Sequence, residues 1–366
     1  MIMKFTFKII IPSFLCLLFL TKTKAQEAVF VQSYNSPVHL NPAMAGVFDG
    51  QWRLNANYRS QWDGIFSSGP IRSIHAAFDY RKNVVNKDYV SFSFNALSDE
   101  TGSSARIKTT RGNFGMSYMK QLGGSKYRNS AQYLIGGAQI GVGQNALALG
   151  DLWYDRQYDS VNNVINTALP TGELAPSSNM YLDYNVGLMY YMTWAANRSL
   201  YIGASMHHLS QPNVSFYGDP KENLRRRFTL HGGGEIPINK DLSIMPHGMI
   251  TLQGPSMTSV FGANFRYTNH DWNEVALRIG ASFRAANKYL AIFDKEGRPT
   301  PNGTSVWGDA VSLTGIIELN RLLIGASYDI HTSSITTPTN SRGAWELSLI
   351  YTGAEKRRVK TSCPRF

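Results

Sequence analysis

The sequence predicts an all-β protein: a transmembrane antiparallel β-barrel of about 14 strands, with an N-terminal pre-strand segment and a short periplasmic C-terminal tail. Three observations carry this expectation. Beyond residue 50 the dominant hydrophobic period is two, with no long segment of period 3.6. The chain opens with an export signal yet keeps a single cysteine after it, so disulfides cannot supply its stability. The connections between alternating segments are long and short by turns, as in bacterial outer-membrane barrels.

Residues 1–25 read as a secretory signal peptide. Lys4 and Lys8 precede an apolar run from Ile9 to Leu20, and Thr23 and Ala25 form the small-residue site expected before cleavage at Gln26. The run is short of the roughly 20 residues a spanning helix needs. Cys16 lies inside it and not at its end, which argues against lipoprotein processing. Cleavage removes four lysines and no acid, so the formal charge of +11 falls to about +7. That is basic without a concentrated patch, apart from Arg225–Arg227 and the EKRRVK run near the end. Together with export, it argues against nucleic acid as a partner.

Residues 26–50 form the pre-strand segment, expected in the periplasm or the lumen. The barrel is expected over residues 51–352 and the basic periplasmic tail over 353–366. Alternating stretches fall near 51–59, 72–81, 90–97, 111–120, 130–142, 182–193, 199–208, 226–236, 242–252, 258–268, 274–285, 308–319, 321–331 and 343–352. In the clearest of them the charges oppose the aliphatic face. Arg278 lies with Glu274 across from Val275, Leu277 and Ile279, and Glu346 lies with Ser348 across from Trp345, Leu347 and Leu349. An even count leaves no unpaired edge in lipid. With the N-terminus periplasmic, the external connections are 60–71, 98–110, 143–181, 209–225, 253–257, 286–307 and 332–342. All but 253–257 exceed the periplasmic ones. A soluble sandwich would not explain that asymmetry, and no blade repeat marks a propeller.

Signals for catalysis are thin. The chain has no G-x-S-x-G, H-E-x-x-H, C-x-x-C or P-loop, and no enzyme activity, cofactor or metal is expected. His207 and His208 are adjacent in a strand, where neighbours point to opposite faces, so they are not expected to share a metal. Asp151, Asp155 and Asp159 lie in the longest connection at a spacing unlike an EF-hand loop, and a solvated loop is the favoured reading over calcium.

The most specialised stretch precedes the first strand. Pro42 biases Asn41 away from helical backbone, and Gly46 and Gly50 free the chain before residue 51. Gln51 to Arg59 alternates, with Trp52, Leu54, Ala56 and Tyr58 on one face and Arg53, Asn55, Asn57 and Arg59 on the other. Tyr58 and Trp62 are candidates for the membrane interface. The stretch is expected to fold onto the barrel lumen or rim, and it also offers a docking surface for partners.

QSYNSPVHLNPAMAG, from Gln32 to Gly46, and YRSQWDGI, from Tyr58 to Ile65, resemble the opening elements of the PorP/SprF family of the type IX secretion system in Bacteroidota. The matching positions are Gln32, Tyr34, Pro37, Asn41, Pro42, Ala43 and Gly46, then Tyr58, Arg59, Gln61, Trp62 and Gly64. The CPRF ending, with Cys363 and Pro364, is also of the family type. Met44 departs from a frequent aromatic, and Ser33 is an extra residue between Gln32 and Tyr34. The resemblance implies an outer-membrane protein that couples exported cargo, or an adhesin with a C-terminal sorting domain, to periplasmic ring and motor-linked components, often in gliding motility. External loops such as 143–181 and 286–307 would then choose the cargo, and the N-terminal element and basic tail the periplasmic contact. The competing expectation is a channel for small or hydrophobic solutes.

Overall fold

The structure is a computed structural model. It describes residues 30–354, except 64–68, 85–86, 103–105, 126–129, 149–153, 160–161, 167, 170–176, 196, 218, 269–274, 290–291, 294–298, 301–303 and 333–341. The expected signal peptide, Gly64, Asp151, and the tail with Cys363 and Pro364 lie outside the described residues.

Fourteen antiparallel strands close into one barrel. They are β1 (Trp52–Gln61), β2 (Ile71–Asn83), β3 (Tyr89–Thr101), β4 (Arg106–Ser125), β5 (Ser130–Ala148), β6 (Tyr181–Ala195) and β7 (Arg198–His207). They continue as β8 (Arg227–Pro237), β9 (Leu242–Gln253), β10 (Ser256–Tyr267), β11 (Val275–Tyr289), β12 (Thr304–Leu319), β13 (Leu322–His331) and β14 (Arg342–Thr352). Closure is made by β1 on β14, in continuous register from Arg53 opposite Thr352 to Gln61 opposite Ala344. No sheet edge is left to lipid, where an unpaired backbone group costs several kcal/mol.

Period-two patterning sets which residues face out. In β3, Phe92 and Phe94 are exposed while Ser91, Ser93 and Asn95 are buried in the interior. In β11, Ile279 and Phe283 face out and Arg278, Ser282 and Arg284 face in. A Phe94→Arg substitution would place a guanidinium on this outer face. It should lower the unfolding free energy in a refolding titration by about 2–4 kcal/mol if it reaches the bilayer midplane.

Several strands run further than the alternation suggests. Residues 98–110, expected as a loop, are largely ladder: Ser98 to Thr101 pair with Ile107 to Thr110. Likewise β5 extends to Ala148 and β11 to Tyr289. Where both faces meet water, the apolar period vanishes while the hydrogen-bonded ladder goes on. Connections 62–70, 149–180, 208–226, 290–303 and 332–341 follow odd-numbered strands. The shorter ones, 84–88, 126–129, 196–197, 238–241, 268–274 and 320–321, follow even-numbered strands. Only 102–105 and 254–255 depart from the asymmetry of long and short ends.

At the end with the short connections, Asp88 closes the β2–β3 turn. Its carboxylate accepts from Lys120 Nζ at 2.7 Å, the Tyr118 hydroxyl at 2.8 Å and the Gln121 N–H at 2.9 Å. The Lys120 hydrogen bond is the main cause holding this carboxyl below its usual range, against the opposing effect of burial. A depressed carboxyl stabilises the fold above its unfolded-state range and loses that contribution as the pH falls through its folded value. Hydrogen exchange at Gln121, corrected for intrinsic rate, should therefore show protection at neutral pH that fades in acid. Asp88→Asn should abolish the acid-dependent step.

Candidate functional site

The chain from Phe30 to Phe48 lies inside the barrel, and almost every residue of it is buried. Three short turns shape it: Ser33–Asn35 and Pro42–Met44 are 3-10, and Pro37–Leu40 is a single α turn. Pro37 opens the α turn where a missing N–H costs nothing. Asn41 is extended, with φ −153° and ψ 124°, as the residue before a proline should be. Its Oδ1 accepts the Ala43 N–H at 2.8 Å and so caps the turn that Pro42 begins. Turns this short are marginal alone. The barrel wall holds them in three places.

The first hold is at the head. Glu346 accepts the backbone N–H groups of Val31 at 2.8 Å and Gln32 at 3.1 Å, one on each oxygen. Arg59 stands directly across the β1–β14 seam from Glu346 and forms an ion pair with it. Arg59 also reaches Asp329 at 3.2 Å, which Arg284 meets at 2.9 Å, and Arg284 meets Asp309 at 2.7 Å. A further luminal group joins Arg266 and Arg278 to Glu318. Taking these charges out of water is costly unless each is paired, and each is.

The second hold is a floor for the Asn41–Ala43 turn. Asn41 Nδ2 lies 2.9 Å from His231 Nε2, 3.2 Å from the Ala204 carbonyl and 3.3 Å from that of Leu188. The turn rests on bare backbone. Gly137 and Gly187 sit opposite one another on β5 and β6, and Gly203 is on β7. A Cβ at Gly137 would come within 2.5 Å of backbone atoms of Pro42 and Ala43, and one at Gly187 would collide with Asn41 Oδ1. The Leu40 carbonyl accepts from Ser205 Oγ at 2.8 Å, and the Val38 carbonyl from Gln139 Nε2 at 3.1 Å.

The third hold is at the foot. Asp79 accepts the Gly46 N–H at 2.8 Å and pairs with Arg53 at 2.7 Å. Arg53 also donates to the Met44 carbonyl at 3.2 Å, and Ser117 Oγ to that of Ala45 at 2.7 Å. Gly46 has φ +76° and presses on Ser91, so a side chain there meets both strain and collision. The guanidinium of Arg53 lies 4.7 Å from the Phe48 ring centre.

Between the holds, Tyr34, Leu40, Ala43, Met44 and Val47 pack against Met119, Tyr133, Ile135, Met189 and Tyr191 of the wall. Those wall residues occupy inward positions of β4, β5 and β6 that an aqueous lumen would leave polar. Two cavities beside the segment are about 30 and 20 Å³, room for roughly one water each. Residues 30–48 thus plug the barrel.

The expected positions distribute unevenly. Gln32 Oε1 accepts from Asn35 at 2.6 Å and Ser348 at 2.9 Å, and the Tyr34 ring lies 4.8 Å from that of His247. Pro37, Asn41, Pro42 and Ala43 belong to the turns above, and Gly46 to the foot. All of them are buried inside the barrel. Arg59 forms the head clamp and is braced by Gln61 at 3.3 Å. Tyr58 faces outward against Trp345, with ring centres 5.0 Å apart.

Trp62 lies just past the end of β1, with φ +61°, and its indole donates to His331 at the mouth at 3.1 Å. One expectation needs correction. His208, with φ +60° just past the end of β7, turns inward beside His207 and bonds Asp183 at 2.6 Å. A left-handed residue there breaks the strand alternation that would set the two histidines on opposite faces. Among the described residues no cluster suited to a metal ion forms, and Asp159 is engaged by Asn162. Asp79, His231 and the three floor glycines were not singled out from sequence, and Arg53 and Glu346 were placed only on the polar faces of their strands. The available signal was apolar residues and glycines on the inward face of β4 to β7.

The family model for the type IX secretion system membrane protein PorP/SprF matches residues 22–351. No curated protein sequence matches. Among solved structures, a TodX monoaromatic hydrocarbon channel mutant lacking S2S3 is similar at 12% identity and TM-score 0.47, covering 86% of this chain and 93% of its own. The toluene transporter TbuX of Ralstonia pickettii is similar at 11% identity and TM-score 0.47, covering 87% and 92%. CdiB from Escherichia coli is similar at 8% identity and TM-score 0.44, covering 81% of this chain, which spans only 63% of CdiB. The chain belongs to the PorP/SprF family of type IX secretion system membrane proteins, and with this fold it is an outer-membrane barrel.

Proposed function

We propose that this barrel is a non-enzymatic anchor of the type IX secretion system, holding an exported protein or adhesin at the cell surface and coupling it to the periplasmic machinery. The observation that carries this reading is the plug. A lumen filled by the chain itself and clamped at head and foot suits a protein whose work is done at its two ends. It disfavours the competing reading of a solute channel. The external connections 149–180 and 290–303 are the candidates for cargo choice. The basic tail after Ala354 and the plug's exit at the periplasmic rim are the candidates for contact with ring and motor-linked components. The signature residues serve docking indirectly here, by fixing that exit. The two elements leave the barrel together: Gly353 donates to the Trp52 carbonyl at 2.7 Å and accepts from Gln51 at 3.2 Å.

The test is a mild-detergent pull-down of the tagged native protein from outer membranes, read by mass spectrometry. The anchor reading expects a large exported protein with a sorting domain together with ring components. Recovery of the barrel alone, from membranes in which the machinery is intact, would count against it.

A further inference from the structure

The two ends of the plug lie at opposite ends of the barrel. Its head is bound by Glu346, which pairs with Arg59, and β1 ends just beyond Arg59 at Gln61. Phe30 borders a cavity with Arg227, the first residue of β8, and with Thr251, close to the end of β9. Its ring centre lies 6.2 Å from that of His75, near the start of β2. These strand ends all lie at the mouth that carries the long connections. The foot is at the other mouth. Asp79, which takes the Gly46 N–H, is near the end of β2. A Cβ at Gly50 would come 2.5 Å from the carbonyl oxygen of Gly353, just past the end of β14. The plug therefore runs the height of the lumen, against the direction of β1.

The chain that precedes Phe30 has one way out. Turning back down the lumen would take it past residues 31–48, which are buried almost throughout. Glu346 holds the backbone at Val31 and Gln32, so the point of departure is fixed by the wall. With cleavage before Gln26, four residues remain ahead of Phe30. Four residues reach at most about 14 Å. The new amino group then stays at the mouth, together with the carboxylate of Glu27. In bacterial barrels the mouth with the long connections is the external one.

We infer that the processed chain displays its amino-terminal end on the cell surface, where it forms part of the face met by an exported polypeptide. An α-ammonium group and a carboxylate beside the long connections offer a donor and an acceptor to the backbone of such a partner, in charge-assisted hydrogen bonds. The contact with an exported polypeptide rests on the anchor reading; the display itself does not.

The test places single cysteines in a Cys363→Ser background. Ala28→Cys reports the amino-terminal end. Tyr217→Cys reports connection 208–226, where Tyr217 is 86% exposed, and Lys240→Cys reports the short turn 238–241. Each variant is first checked for the heat-dependent gel shift of a folded barrel and for labelling once denatured. Intact cells are then treated with a membrane-impermeant biotin maleimide. Ala28→Cys and Tyr217→Cys should label, and Lys240→Cys only after the outer membrane is permeabilised. Ala28→Cys that labels only after permeabilisation, or only once denatured, overturns the display. So does an inverted barrel, in which Lys240→Cys labels on intact cells and Tyr217→Cys does not. For the contact, Ala28→Cys should label several-fold more slowly in cells with the secretion machinery than in cells lacking it. Equal rates overturn the contact and leave the display standing. A pull-down that recovers no cargo while Ala28→Cys labels from outside would sink the anchor reading, again without touching the display.

Discussion

Replacing Glu346 with glutamine should release the head of the plug. Every neighbour of this carboxylate is a donor: the Val31 and Gln32 N–H groups and the Arg59 guanidinium. The amide would turn its own NH2 toward one of them. Arg59 would then keep only Asp329, which Arg284 also meets, and would lose its partner across the seam. Breaking one partner of a buried ion pair costs about 3–5 kcal/mol. We expect a loss of that size in a denaturant titration of the reconstituted barrel. We also expect faster protease cleavage within residues 30–48. A destabilised barrel whose plug is no more accessible than before would show that the carboxylate supports only the wall.

Gly137→Val should displace the middle of the plug. The atoms its Cβ would meet are the backbone of Pro42 and Ala43, which cannot swing aside as a side chain can. Overpacking a filled interior costs about 1–3 kcal/mol, and here the movable element is the plug and not the wall. Ala43 is fully buried. A cysteine at Ala43, in a Cys363→Ser background, should resist maleimide in the parent and react in the Gly137→Val variant, while the heat-dependent gel shift persists. Equal labelling in both would mean that the glycine floor does not seat the turn.

These two sites also show what a linear sequence carries and what it hides. Barrel strands were legible because lipid on one side and a polar interior on the other impose a period of two, seen in Val275–Phe283 and Trp345–Tyr351. The strand ends were not, because the ladder at Ser98–Thr101 continues into water, where neither face needs apolar residues. Asn41, Pro42, Gly46 and Arg59 stood out by residue type, but their partners did not. Glu346 lies almost the whole chain away from Val31 and becomes its neighbour only when the barrel closes. Gly137, Gly187 and Gly203 read singly as ordinary strand glycines, and only the register of β5 to β7 makes them one floor. Left-handed backbone at Trp62 and His208 is set by the turn that follows each strand, which period-two reasoning does not capture.

A plug that fills the lumen leaves ions no path through the barrel. Single-channel recording of the reconstituted full-length protein in a planar bilayer should therefore show no steady conductance from the wild type and open events in Glu346→Gln. A stable wild-type conductance that Glu346→Gln leaves unchanged would mean that the plug does not close the lumen, and would return the barrel to the channels.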